Sequence, residues 1–178
     1  KNHGILLIVD DIQVGCGRTG NFFSFEHVGL EPDMIALSKS ISGAGLPMSV
    51  LLIRPECDQW KPGEHTGTFR GNNLAFVTAE QALQYWSNDD FAKTVCTKGT
   101  GLKQQLETLV DEHPDTIREC RGIGMIHGLQ FHNADHCKRV AQAAFQQGLI
   151  IETCGSEGDV LKLLPPLTIA DEVLAEGI

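Results

Sequence analysis

"LLIVDDIQVGCGRTG", residues 6–20, runs from an apolar, strand-like segment into two aspartates and then a literal G-x-G-x-x-G at Gly15, Gly17 and Gly20. Two chemistries compete for this stretch. One is the phosphate cradle of a dinucleotide-binding domain; the other uses the acid that closes the strand. A dinucleotide fingerprint needs its first glycine directly at the strand end and an apolar helix packing on the sheet just afterwards. Here "DDIQV" intervenes, and "NFFSFEHVGLEP" (21–32) lacks helical periodicity. Two carboxylates facing an incoming pyrophosphate would also repel it. The glycines therefore read as a turn that reverses the chain. A nucleotide-binding module on Gly15, Gly17 and Gly20 is kept as the rival of a different class.

Outward from this stretch, "GILLIVDD" (4–11) is an apolar run ending in charge, which suits a parallel strand buried on both faces. "DMIALSKS" (33–40) and "MSVLLIRP" (48–55) repeat the type around the small-residue loop "SISGAGLP". "NNLAFVTAEQALQYW" (72–86) reads as a helix capped by Asn72 or Asn73, with Leu74, Val77, Leu83 and Trp86 on one side. A longer helix follows from about Asp89, its apolar positions Phe91, Val95, Leu102, Leu106 and Leu109 stepping by four, seven, four and three. Pro114 marks a boundary. Beyond it, "GMIHGLQF", "LIIETC" and "VLKLLPP" read as strands, and "ADHCKRVAQAAFQQ" as a helix ending at Gly148. The outline is half of a large α/β domain over residues 1–88, then a linking helix and a small α+β domain over 89–178.

The 178 residues suffice for one domain or two small ones, and 42% apolar with 21% charged is ordinary globular composition. A net charge of -9 argues against nucleic acid or an anionic membrane as partner. No stretch approaches the ~20 continuous apolar residues of a membrane span. The opening "KNHGILLIVDD" is neither a signal nor a transit sequence. It carries no Met and enters a strand at once, while "TIADEVLAEGI" opens like a helix capped by Thr168 and stops, so a piece of a longer chain is expected. The six cysteines (16, 57, 96, 120, 137 and 154) contain no C-x-x-C pair, which favours reduced thiols in a cytoplasmic protein over disulfides or zinc.

Other motifs yield little. "SKSISG" lacks the leading glycine and G-K-[ST] spacing of a phosphate loop, and "HNADH" places His132 and His136 one helical turn apart without the Glu of H-E-x-x-H. No metal site is expected. What remains is a carboxylate, Asp10, at one strand end and an amine, Lys39, just past another. In open parallel sheets, ligands sit beyond the carboxyl ends of the strands. A lysine in a small-residue loop can be partly desolvated, which lowers its pKa and makes the amine nucleophilic. Such lysines form Schiff bases, notably with pyridoxal phosphate, whose ring nitrogen wants an acidic partner. The plain alternative is an exposed lysine and an aspartate capping a turn, and spacing alone favours the plain one.

Five segments together shift that balance. "IVDDIQVGCGRTG" resembles the D-E-V-Q-T-G-x-G-R-T-G signature of class III (omega-type) aminotransferases, which are fold type I pyridoxal-phosphate enzymes. "PDMIALSKSISGAGLPMS" resembles their lysine segment, and "PGEHTGTFRGNNLAFVTA" their H-x-x-T-F-x-G-N-P block. "RGIGMIHGLQF" and "LKLLPPLTI" look like two recurring strands of their C-terminal domain. The segments fall in family order across nearly the whole chain. The wording is most similar to the branch that makes L-2,4-diaminobutyrate for ectoine biosynthesis.

The resemblance implies the C-terminal half of a large, mostly parallel-sheet domain followed by a small α+β domain. It implies pyridoxal 5'-phosphate as cofactor, amino-acid and oxo-acid substrates, and a homodimer or larger homo-oligomer. Lys39 would carry the cofactor and shuttle the proton; Asp10 would pair with the pyridinium nitrogen; Gln13 would hydrogen-bond the phenolic oxygen. Thr68 would bind the phosphate of the cofactor held by the other subunit. The implied reaction moves an amino group between L-glutamate/2-oxoglutarate and L-aspartate 4-semialdehyde/L-2,4-diaminobutyrate. Its nearest rivals are relatives acting on ornithine, acetylornithine or 4-aminobutyrate; an inactive domain that keeps only the fold is a third reading. The family's phosphate cup and ring-stacking aromatic would precede residue 1, so residues 1–178 alone are expected to be inactive.

Four residues depart from the family pattern. Asp11 replaces the usual Glu, and "TFRGNN" carries Arg70 and Asn73 where T-F-G-G-N-P is usual. Lys162 stands where a carboxylate-binding Arg is frequent, offering a point charge without the planar fork. Arg70 and Lys162 are the weak candidates for the substrate carboxylate.

Overall fold

The computed structural model describes residues 3–178; Lys1 and Asn2, at the head of the opening read for a leader segment, lie outside the described residues. The chain forms two compact units, one reaching to Ala92 and the other spanning Lys93–Ile178.

The first unit is built on a three-stranded sheet in the order β1 (Ile8–Asp10), β2 (Met34–Leu37), β3 (Val50–Ile53). β1 and β2 are parallel, with Ile8 beside Met34 and Asp10 beside Ala36; β2 and β3 are antiparallel, with Leu37 beside Val50. Asp33 sets the parallel register. Buried just before β2, it accepts Leu7 N on Oδ2 at 2.8 Å while its own N–H donates to Leu7 O at 2.8 Å. A buried acid satisfied by backbone on the neighbouring segment fixes where that segment can lie.

β1 is shorter than the apolar run 4–11 suggests, and that run is not buried on both faces. Ile5 is 71% and Ile8 60% exposed. A strand's faces are buried by layers packed on the sheet, and the neighbour β1 has among the described residues, β2, lies along its edge and covers neither face. The core instead gathers around Cys16, Leu37 and Ile41, with Phe22, Phe23, Met48 and Val50 packed on it. Phe22 stands edge-on to Phe23 at 4.8 Å and to Trp86 at 5.3 Å, extending the packing to the 3-10 turn Gln84–Trp86 just past the following helix.

That helix, α1 (Asn73–Leu83), starts where the sequence puts it: the Asn72 side chain accepts Leu74 N at 3.1 Å and Ala75 N at 3.4 Å. Its buried stripe differs from the expected one. Ala75 and Ala79 are buried, whereas Leu74, Val77 and Leu83 are exposed. Small residues win because the helix lies close to the loop after β2. A Cβ on Gly43 would sit 2.6 Å from the Ala82 Cβ and 3.0 Å from Thr78 O, so neither side has room for bulk.

The second unit contains most of α2 (Asp90–Glu112), then β4 (Ile117–Ile123), β5 (Ile126–Phe131), α3 (Ala134–Gln146), β6 (Glu152–Cys154), β7 (Val160–Leu163) and α4 (Asp171–Glu176). Its sheet is antiparallel in the order β4-β5-β7-β6. α2 buries Val95, Leu102 and Leu106, three of the five stepped apolar positions. α3 is capped by Asn133, whose side chain accepts Asp135 N at 2.8 Å and His136 N at 3.4 Å. Most of β4 is absent from the sequence reading, which touches its last three residues in "RGIGMIHGLQF": "IRECRGI" has charged, exposed positions and among the described residues pairs only with β5. Thr168 does not cap the last helix. Ala170 holds that position without a side-chain bond, because Ile169 N turns back onto Pro166 O at 3.1 Å and the Lys98 ammonium takes the Ile169 carbonyl. No helix among the described residues is long and apolar enough to cross a membrane.

Candidate active site

Parallel pairing brings Asp10 and Lys39 to the same end of the sheet. Asp10 is the last residue of β1, level with Ala36, and the chain leaves β2 through Leu37 and Ser38 into Lys39. Side chains alternate across a strand. Leu37 and Asp11 point into the core and are buried, so Asp10 faces the open side, where it is exposed. Asp10 Oδ1 accepts Ile12 N at 3.0 Å, which bends the chain sharply off the strand. Gln13, in that bend, is exposed as well.

Lys39 starts a short 3-10 segment, Lys39–Ser42, and holds φ at 50°, one of two non-glycine residues with positive φ among those described. Such backbone is costly for a side-chain-bearing residue and gathers where geometry is imposed for function. Ser38 imposes it here: its Oγ donates to Met48 O at 2.7 Å, closing the loop 38–48. The lysine side chain is exposed rather than desolvated, so the partial burial expected from the small-residue loop is not seen. It lies in an open hollow lined by Ser38, Ser40, Gly43, Gly45, Pro47 and Met48. A second hollow shares Ser38, Pro47 and Met48 and is bounded by His65, Phe69 and Arg70, so the segment carrying Thr68 adjoins the lysine loop.

Thr68 is exposed beside Phe69, which is 100% exposed. Arg70 folds back on its own loop: Nη1 donates to His65 O at 3.0 Å and Nη2 lies 3.0 Å from His65 Nδ1. His65 in turn stacks on Trp60, ring centroids 4.3 Å apart. Lys162 belongs to the second unit, on β7, where its Nζ pairs with Glu152 Oε2 across to β6 at 3.0 Å on the rim of an apolar hollow. Both candidate cations are therefore already engaged. Asp33 and Ser38 also hold the site and escape a motif search because their work is done through partners distant in the chain, and Asp11, which lies inside the motif, bonds Ser24, which lies outside it.

The glycine turn offers nothing to a phosphate. A Cβ on Gly15 would lie 2.7 Å from Asp11 O and 2.9 Å from a Leu37 methyl, so the turn is packed against its own protein. Only a 3-10 segment, Ser24–Val28, follows it, where a phosphate site needs a helix aimed at the ligand. Among the described residues no cluster of His, Cys, Asp and Glu could hold a metal ion.

The chain resembles known proteins along its whole length. It is 55% identical over 180 residues to a diaminobutyrate–2-oxoglutarate transaminase of Bordetella parapertussis, and 55% identical over 175 residues to one of Vibrio cholerae. It spans 41% of the first and 43% of the second, less than half their length, while they match 100% and 98% of this chain. Among solved structures, the ornithine aminotransferase of Toxoplasma gondii superposes with a TM-score of 0.89 at 30% identity, covering 99% of this chain and 42% of that one. The N-acetylornithine aminotransferase of Stenotrophomonas maltophilia gives 0.84 at 32% identity, covering 99% of this chain and 45% of its own. The α/β architecture is thus that of fold type I enzymes, in the portion these relatives share. All 178 residues match the aminotransferase class-III family, and with an aspartate and a lysine at neighbouring parallel strand ends, the chain belongs to it.

Proposed function

We propose that the full-length protein is a pyridoxal-phosphate-dependent transaminase. It moves an amino group between L-glutamate/2-oxoglutarate and L-aspartate 4-semialdehyde/L-2,4-diaminobutyrate, the step that feeds ectoine synthesis. The observation that carries this is the placement of Asp10 and Lys39 beyond the same ends of β1 and β2, both on exposed chain. Ligands of open α/β sheets sit there. The substrate pair rests on the 55% identity to enzymes of that name.

The residues suit the cofactor. Asp10 offers an exposed carboxylate, Gln13 an exposed amide three residues on, and Lys39 an exposed amine in a loop held by Ser38. Bound pyridoxal phosphate supplies an electron-withdrawing ring that stabilises negative charge on the substrate carbon. Asp10 keeps a proton on the ring nitrogen by its charge, and Gln13 orients the ring through its phenolic oxygen. Lys39 Nζ holds the cofactor in the resting enzyme and moves a proton to and from the substrate carbon while substrate is bound. Glutamate gives up its nitrogen and leaves as 2-oxoglutarate; the semialdehyde then takes that nitrogen on its terminal carbon.

Thr68 belongs to the cofactor phosphate of a second subunit, which makes a homodimer the smallest complete enzyme. The exposure of Thr68 and Phe69 supports this, since a residue serving another subunit must stand clear of its own. The first unit is read as part of the large cofactor-binding domain, and the exposed Ile5–Ile8 run fits a sheet that further strands continue. Six free thiols accord with a cytoplasmic enzyme. Arg70 and Lys162 can receive a substrate carboxylate only by sharing or leaving His65 and Glu152.

Amino-donor profiling of the full-length enzyme with 2-oxoglutarate tests the substrate assignment. Diaminobutyrate is expected to turn over best. Turnover of 4-aminobutyrate, ornithine or acetylornithine with none of diaminobutyrate would reject it.

A further inference from the structure

Asp10 and Asp11 are adjacent in sequence and opposite in environment. Asp10 is exposed, whereas Asp11 is 1% exposed. Every polar group of Asp11 is tied down. Its Oδ2 accepts Ser24 N at 3.0 Å, and its Oδ1 accepts the Ser24 hydroxyl in a short contact. Its N–H donates to Ala36 O at 2.9 Å, and its carbonyl accepts Gly15 N at 3.0 Å. One residue thus joins the end of β1 to the neighbouring strand β2 through its backbone N–H, and to the first residue of the 3-10 segment Ser24–Val28 through its side chain.

Between the two ends of this clasp runs the turn that bears Gln13. It is tightly wound, with Cys16 at φ 54° and Gly17 and Gly20 at 92° and 107°. Cys16 lies beside the clasp, and burial first, then the Asp11 carboxylate, push its thiol up to about 11. Alternation along the strand end links the clasp to the site: a side chain anchored inward at position 11 obliges the one at position 10 to point outward. A buried carboxylate is also costly unless its oxygens are satisfied, so the turn cannot drift from Ser24 without exposing or orphaning Asp11.

We propose that Asp11 is a positioning residue, which through its clasp on Ser24 holds Asp10 and Gln13 in the one arrangement that meets the cofactor ring. This rests on the roles given above to Asp10 and Gln13. The clasp gives a physical use to the Asp found here in place of the family's usual Glu. A Cβ at Gly15 would lie 3.0 Å from the Asp11 Cβ, so glycine at position 15 lets the turn close against Asp11.

The test uses the full-length enzyme in four variants: Ser24→Ala, Ser24→Thr, Asp11→Asn and Asp10→Asn. Three readouts apply: amide exchange of residues 12–23 in cofactor-free protein, the midpoint of the pH titration of the loaded enzyme's visible band, and kcat with KM. For Ser24→Ala and Asp11→Asn, exchange should speed up and the midpoint move, with kcat down about tenfold and KM changed by less than about twofold. Ser24→Thr, which keeps both donors, should behave as the parent. Ser24→Ala and Asp11→Asn with parental midpoint and kcat, beside a crippled Asp10→Asn, would overturn the clasp's role and leave the ring partner standing. A fully active Asp10→Asn would overturn the ring assignment and the clasp's role with it.

Discussion

Asp10 and Ala36 stand side by side in the parallel pair β1–β2, and the next backbone bond, Asp11 N to Ala36 O at 2.9 Å, fixes them there. Lys39 follows Ala36 by three residues, just past the end of β2, so the acid and the amine share one end of the sheet. If Asp10 supplies charge to the ring nitrogen, Asp10→Asn in the full-length enzyme removes charge and keeps shape. Turnover should fall about 10²–10³-fold, on the scale of a lost electrostatic stabiliser, with little change in KM. Steady-state kinetics measure it, and a loss of less than about twofold would contradict the role.

Gly99 of α2 lies against Gly124 in the β4–β5 turn, so closely that a Cβ on Gly99 would sit 2.6 Å from the Gly124 carbonyl carbon. Two residues along, a Cβ on Gly101 would meet nothing within 4 Å. The same substitution should therefore act in opposite directions on one helix. Gly99→Ala should destabilise by about 1–3 kcal/mol through overpacking against backbone that cannot yield. Gly101→Ala should stabilise by about 0.5–1 kcal/mol, because alanine is the better helix former. Denaturant unfolding of the two variants checks the pair, and a shared sign would contradict the close approach.

His127 on β5 is 2% exposed, with Nε2 on Gly124 O at 2.9 Å and Nδ1 without a partner. Burial, foremost, lowers its pKa; Lys103 adds to this, while the Gly124 bond and Glu107 oppose it. The unfolded chain therefore binds the proton first, from about pH 6.5 downward. Stability should be level in this respect above that pH, fall as pH drops through it, and level again below the depressed folded value. Urea midpoints at pH 8 and pH 5.5 should separate less in His127→Gln than in the parent. An equal separation would contradict the buried neutral imidazole.

All six cysteines are free, but they are not alike. Cys16 and Cys137 are buried, and burial pushes each thiol up to about 11, with Asp11 adding at Cys16 and Asp159 and Cys154 at Cys137. The thiolate is the reactive form. In native protein at pH 8, iodoacetamide should modify the exposed Cys96 and spare both buried thiols until denaturant is added. Peptide mass spectrometry reads the order; early labelling of Cys16 or Cys137 would contradict it.

What the sequence revealed follows from how local each signal is. Asn72 caps its helix through atoms two and three residues away and is recognisable from its neighbours, whereas the equivalent cap at Asn133 emerges only from the structure. The strand-end placement of Asp10 and Lys39 was legible because apolar runs end where the side chains change character. The buried face of α1 was not, since Ala75 and Ala79 are selected by the close loop and the larger Leu74 and Val77 stay outside. Most of β4 was hidden because its charged positions are exposed and its partner is a later strand. The Asp11–Ser24 clasp depends on a residue brought back by a turn, and periodicity carries no trace of it.

Reduction of the pyridoxal-phosphate-loaded, full-length protein with borohydride fixes the cofactor to whichever amine carries it, and peptide mapping then names the lysine. The label is predicted on the peptide containing Lys39. A label on any other lysine would contradict the site at the ends of β1 and β2.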